Sequence, residues 1–189
     1  MNSKQRNEEF ERHVVWKVVD EIFKNKSTLV QHHFDSYEHF MSHRVQHIID
    51  SFNPIEVSHE YDPSNDRFNH VASVRMHNPR YVRTRVEEAN GAETVITPMI
   101  ARRRQLSYVA NVVVDLECTF KTYNLTAEAY HVETKDILNV CIGKLPIMVR
   151  SKYCILSEHP IAMGAECPYD YGGYFIIQGT EKVLVSQDR

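Results

Sequence analysis

Over residues 7–24 the apolar side chains Phe10, Val14, Val18 and Ile22 recur at helical spacing, and Val15, Val19 and Phe23 widen them into a stripe. A 3.6-residue period with one apolar face predicts an amphipathic helix that buries that face. A second helix is predicted from about Asp35, which with Glu38 has capping-box spacing; Tyr37, Phe40, Met41, Ile48, Ile49 and Phe52 form its apolar side. Pro54 stops it. The polar stretch EVSHEYDPSNDR that follows, with its Asp-Pro and Ser-Asn-Asp turn chemistry, reads as a loop.

Beyond that loop the period changes to two. Over 109–120, Val112, Val114, Leu116, Cys118 and Phe120 alternate with Val113, Asp115, Glu117 and Thr119, the pattern of a half-buried strand. Before it, YVRTRVEE, the turn NGAE and TVIT predict a hairpin, and Thr97-Pro98 reads as the cap and first residue of a short helix, MIARRRQ. After it, residues 127–133 and 137–142 flank Thr134-Lys135-Asp136 as a strand pair. The chain closes with a glycine-bearing turn, an apolar run, a second turn and a second apolar run, ECPYDYGGYFIIQGTEKVLVSQDR. The pattern predicts an α+β fold, helical over 7–53 and a mostly antiparallel sheet over 67–189.

Composition narrows the class. A chain of 189 residues, 42% hydrophobic with 10 Tyr and 8 Phe, can bury a core and lies far from the profile of disordered segments. A net charge of −3 excludes a uniformly basic nucleic-acid binder and leaves room for a local basic face. Cys118, Cys141, Cys154 and Cys167 make no CxxC pair and no zinc spacing, so all four read as free thiols in a reducing compartment. Charges interrupt the amino terminus where a signal peptide needs its apolar core, and no run approaches a membrane span; a soluble, intracellular protein is expected.

The local constellations are weighed one by one. His39, His43 and His47 at i, i+4 and i+8 have the spacing for a shared metal, but they point away from the apolar stripe and read as a solvated polar face. Arg102, Arg103 and Arg104 cannot share one side of a helix, because successive residues step about 100° around the axis; a solvated surface with one packed stem and a phosphate-facing role both stay open. Residues 137–157 carry Lys144, Arg150 and Lys152 and no acid. In an extended segment Arg150 and Lys152 project to the same side, suiting either a phosphate track or an edge strand guarded by charge. The glycines form no phosphate-binding loop, and no GxSxG, HExxH or DxD-like pair is present, so no self-contained active site is legible.

The closing stretch CPYDYGGYFIIQGTEKVLVSQDR resembles the amino-terminal region of the second-largest, β-type subunit of multisubunit DNA-directed RNA polymerases. GKLPIMVRSKYCILSE, ARRRQLSYVANVVVDLE and LVQHHFDSYEHFM are similar to further segments of that region, in family order from about Leu29 to Arg189. They favour the eukaryotic, archaeal and large-DNA-virus versions. The resemblance implies that residues 1–189 are the amino-terminal part of the protrusion, a mixed α/β lobe forming one wall of the DNA cleft. It implies no bound cofactor in this chain, with catalytic Mg2+ of the assembled enzyme held mainly by the largest subunit.

The same resemblance implies partners: the remaining part of the β-type subunit, the largest and other polymerase subunits, the DNA template and RNA–DNA hybrid, and transcription initiation factors, with no membrane. It implies a nuclear, cytoplasmic viral-factory or virion location according to source, and a chain that is the opening piece of a longer subunit, split or truncated. Lys182, at the family's Glu-Lys/Arg position, and Arg189 are expected to face nucleic acid, with Arg150 and Lys152 as further candidates. The alternative is a free-standing nucleic-acid or transcription-factor binding module derived from that subunit.

Overall fold

The computed structural model describes residues 14–24, 28–124, 127–158, 166–185 and 187. A helix over 14–23 (α1) precedes α2 (Gln31–His39), which passes through a π-helical turn (Phe40–Arg44) into α3 (Val45–Phe52). The strands β1 (Ile55–Asp62), β2 (Arg67–Arg83), β3 (Arg85–Glu87) and β4 (Glu93–Val95) follow, then the short helix α4 (Pro98–Arg103). β5 (Val109–Asn124), β6 (Ala129–Pro146), the helical turn α5 (Ile155–Glu158) and the strands β7 (Phe175–Ile177) and β8 (Thr180–Lys182) complete the described part. β1, β2, β5 and β6 pair antiparallel in that order as one sheet; β3–β4 and β7–β8 are separate hairpins. The α+β class, with helices before an antiparallel sheet, is the one the sequence predicts.

The core sits at one end of the long sheet. Val45 and Ile49 of α3 pack on Val112 and Val114 of β5, while Phe34 and Tyr37 of α2 and Met41 of the π turn close around Met148. The Tyr37 hydroxyl donates to the Pro146 carbonyl at 2.9 Å, tying α2 to the end of β6; burial raises its pKa well above the ordinary phenol value. A third cluster gathers Ala101 of α4, Tyr108, Ile147, Val149, Cys154, Leu156 and Ile176. At the other end no described element covers this face of the sheet: Val57 stands opposite Ala72, Ala72 opposite Phe120, and Val57 and Phe120 are exposed.

Asp115 marks where the two ends meet. The β2 register shifts between His77 and Arg80, and the β6 register shifts between Val114 and Leu116, so both neighbours of β5 are irregular beside Asp115. Asn78 and Asn139 take positive φ there. Asp115 Oδ1 accepts from the Asn139 N–H at 3.0 Å and from Arg80 Nη2 at 2.6 Å, and these two donors hold the buried carboxyl below the usual carboxylate range against the opposing effect of desolvation.

Several expectations are corrected. The apolar stripe of α1 is not buried: Val14, Val15, Trp16, Val18, Ile22 and Phe23 are exposed, because no described element packs on them; residues 7–13 of that predicted helix lie outside the described residues. α2 starts at Gln31 with no side-chain cap, and Asp35 lies inside it, accepting from Gln31 Nε2 at 2.8 Å, so the capping box does not form. Residues 55–62 are a strand whose Ile55, Val57 and Tyr61 share a face; only the turn chemistry at Asp62–Asp66 is loop-like, with Asp62 accepting from Ser64 N–H and Asn65 Nδ2. Thr134-Lys135-Asp136 is not a turn, because β5 is long enough to pair residues 129–146 without a break. On β5 both faces are buried over residues 112–115, not one.

Other readings hold in detail. Thr97 Oγ1 caps α4 by accepting from Ile100 N–H at 3.3 Å, with Pro98 in the first turn. β3 and β4 form the hairpin around the NGA turn. Pro54 follows the last residues of α3, where Asn53 is already extended. The four cysteines are free thiols.

Candidate nucleic-acid interface

β7 and β8 form a hairpin built by glycine. Gly179 has φ +75°, and a Cβ there would stand 2.8 Å from the Gln105 Cα, so only glycine lets the turn lie against the end of α4. Its N–H donates to the Leu106 carbonyl at 3.0 Å, and Gln178 N–H donates to Ser107 Oγ at 3.0 Å. The Tyr108 N–H donates to the Ile176 carbonyl at 2.9 Å, fixing the hairpin to the start of β5.

Successive residues of β8 face opposite ways. Glu181 turns to α4, where its Oε1 meets Arg102 Nε at 2.7 Å. Lys182, paired across the hairpin with Phe175, lines a groove of about 650 Å³ with His32, His33, Tyr37, Met148 and Val183 among its walls. No acidic side chain lines this groove, and Lys182 is exposed and makes no ion pair among the described residues. Val183, Leu184 and Val185 continue past the strand as an exposed apolar run.

Among the described residues Arg102 is the most heavily partnered cation. Nη1 lies 2.8 Å from Glu166 Oε2, and Nη2 donates to the Tyr174 hydroxyl at 2.5 Å, which itself donates to Asp170 Oδ2 at 2.5 Å. Burial opposes the charge, but Glu166 and Glu181 outweigh it and raise the Arg102 pKa further above its ordinary value. Burial and the Asp170 carboxylate raise the Tyr174 pKa well above the phenol value, so this hydroxyl stays protonated as a donor. The other Glu166 oxygen, Oε1, is buried with no hydrogen-bond partner among the described residues.

The remaining candidates are placed as follows. Arg150 and Lys152 are not on an extended segment but in a turn at 149–153, where Arg150 has φ +66°, so the expected common face does not exist. Arg150 Nη2 donates to the Cys167 carbonyl at 2.9 Å. Lys152 Nζ lies 3.6 Å from Glu38 and 5.3 Å above the Tyr153 ring. Arg189 lies outside the described residues. Of the arginine triplet, Arg102 turns inward, Arg104 pairs with Glu88 at 2.9 Å, and Arg103 is exposed and unpaired among the described residues.

The histidine row is exposed, with His39 and His43 stacked at 5.1 Å, and no group of three His, Cys, Asp or Glu among the described residues could hold a metal ion. No helix among the described residues is long and apolar enough to cross a membrane. Sequence reasoning singled out Arg102 only as one of three cations. Its acids lie 64, 68 and 79 residues downstream, and no short-range signal links them.

The family described as RNA polymerase beta subunit matches residues 28–189, and the chain belongs to it. It is 34% identical over 191 aligned positions to DNA-directed RNA polymerase II subunit 2 of Arabidopsis thaliana, covering 97% of this chain and 16% of that protein. It is 31% identical to DNA-directed RNA polymerase II subunit RPB2 of Schizosaccharomyces pombe, covering 98% of this chain and 16% of the relative. Against DNA-directed RNA polymerase subunit Rpo2N of Methanococcus vannielii the identity is 33%, over 91% of this chain and 32% of the relative. The chain thus corresponds to the amino-terminal region of a β-type polymerase subunit and spans a sixth to a third of the length of these relatives.

Proposed function

We propose that this chain forms one wall of the DNA cleft of a DNA-directed RNA polymerase, as a noncatalytic part of the second-largest subunit. It guides template and hybrid while another polypeptide, the largest subunit, supplies the Mg2+ for nucleotidyl transfer. The observation that carries the reading is the family match over residues 28–189 together with an exposed Lys182 that makes no ion pair among the described residues and sits on a hairpin seated against α4. A cation of this kind attracts phosphate without reading sequence, which suits an enzyme that transcribes any template. Lys182 and Arg189 are the side chains this reading turns to nucleic acid. Arg150 and Lys152 would contribute to the field of that face while their direct contacts stay with protein.

The same reading supplies partners for the open surfaces. The stripe of α1 and the far end of the sheet expose Trp16, Val18, Phe23, Val57, Phe68 and Phe120, and clustered exposed apolar side chains of this kind mark protein interfaces. The rest of the β-type subunit and the other polymerase subunits are the proposed cover, with transcription initiation factors as transient partners. The test is a photo-crosslinking amino acid placed at Lys182 in the assembled polymerase on a template–hybrid scaffold. Crosslinks to DNA or RNA are expected; crosslinks to protein alone overturn the placement of Lys182 on the cleft.

A further inference from the structure

We infer that Arg102 is a positioning residue for Lys182: it holds β8 by Glu181 so that the neighbouring ammonium is presented to phosphate. The inference rests on the cleft-wall reading above and adds a residue to it.

β8 has three residues and a single neighbour, β7, and the chain leaves the sheet immediately after the Phe175–Lys182 pair. Such a strand end frays unless something besides the ladder holds it. Here the holder is the 2.7 Å contact between Arg102 Nε and Glu181 Oε1. Because adjacent strand residues face opposite ways, seating Glu181 against α4 turns Lys182 away from α4 and toward the groove beside α2.

Arg102 is itself held from two further directions. Its other nitrogens are taken by Glu166 and the Tyr174 hydroxyl, and Tyr174 is braced by Asp170, whose Oδ1 accepts from Gly172 N–H at 2.9 Å. Next to it Ala101 is fully buried in the core. Three directions from one planar fork are geometry that a lysine ammonium on a flexible stem does not reproduce. The clamp also has an electrostatic consequence. A Glu181 carboxylate released from Arg102 would be an unpaired anion next to Lys182 in the chain and would compete with phosphate for it.

The experiment uses the polymerase assembled with this chain and measures dissociation from a template–hybrid scaffold as a function of salt. K182Q removes one phosphate contact, and the slope of log affinity against log salt falls by about 0.9. R102K keeps the charge and removes the fork; the same loss of slope is expected, with no further loss in R102K/K182Q. R102Q is expected to match R102K, and if R102Q does not assemble, R102K carries the comparison.

A slope in R102K equal to that of the unaltered enzyme, with K182Q lowered, overturns the inference and leaves the cleft-wall reading standing. Additive losses in the double variant overturn it too, since they would mean that Arg102 meets phosphate itself. An unchanged slope in K182Q removes the role of Lys182 and the positioning inference with it. Lower thermal stability in R102K with an intact slope marks a purely structural role and also overturns the inference.

Discussion

The Tyr108 N–H donates to the Ile176 carbonyl at 2.9 Å, and the two side chains are 1% and 0% exposed. This contact splices the terminal hairpin to the root of the main sheet. The Tyr108 carbonyl continues it by accepting from Ile147 N–H at 3.0 Å, and the hydroxyl accepts from Ile155 N–H at 3.0 Å. One tyrosine therefore serves β5, the end of β6, α5 and β7.

Ile176→Ala leaves a cavity at the centre of that splice. The expected cost is about 2–5 kcal/mol, the range for large-to-small changes at sealed core positions. Urea denaturation of the chain, alone or co-expressed with the rest of the subunit, reads it as a lower midpoint. A change below about 0.5 kcal/mol, the scale of ordinary surface substitutions, would show that the hairpin is not part of the core.

Gly179 and Gly91 both have positive φ, but only Gly179 is crowded: nothing lies within 4 Å of a Cβ at Gly91, whereas at Gly179 it would meet backbone. Gly91→Ala should cost about 1 kcal/mol, from backbone strain alone, and Gly179→Ala clearly more, because the hairpin must move off α4. Thermal melts of the two variants side by side give the comparison, and equal losses would contradict the close approach.

Asp115 predicts a pH dependence. The Asn139 N–H and the Arg80 guanidinium lower its pKa below the unfolded value of about 3.9, so folding releases a proton from this group as pH falls toward that range. Its stabilisation is complete above the unfolded pKa and is lost as pH falls through the folded one. Asp115→Asn should therefore be less stable than the parent at pH 7, with the gap closing below about pH 4. Denaturation midpoints at pH 7, 5 and 3 test it; a gap that persists unchanged at pH 3 contradicts the assignment.

Trp16 is the single tryptophan and is 64% exposed on α1. If the α1 stripe is an assembly surface, its fluorescence maximum shifts to shorter wavelength when the rest of the β-type subunit is added. An unchanged emission spectrum on a complex confirmed by gel filtration would leave the stripe without that partner.

Much of the fold was legible because local pattern and tertiary burial agree. Thr97-Pro98 caps a helix whose Ala101 faces the core, and the alternation over 109–120 lies on the strand that carries Val112 and Val114. The failures have a common cause in contacts that are distant in sequence. Residues 55–62 look like a polar loop until β2 supplies their partners, and 134–136 look like a turn until β5 holds them straight. At the candidate site, Lys182 is singled out by family resemblance and not by any local pattern. The Arg102 network is not legible in the sequence, because its acids lie far downstream, two in the irregular stretch 166–170 and one in β8, and no periodicity links them.

The two irregularities beside Asp115 divide the long ribbon into a footing and an arm. Strand residues beyond them touch chiefly each other, so a pair of residues added to or removed from both sides of the Asp62–Arg67 turn changes the reach of the arm without re-facing a single core side chain. Related polymerases could in this way lengthen or trim their outermost contacts while keeping one unaltered foundation.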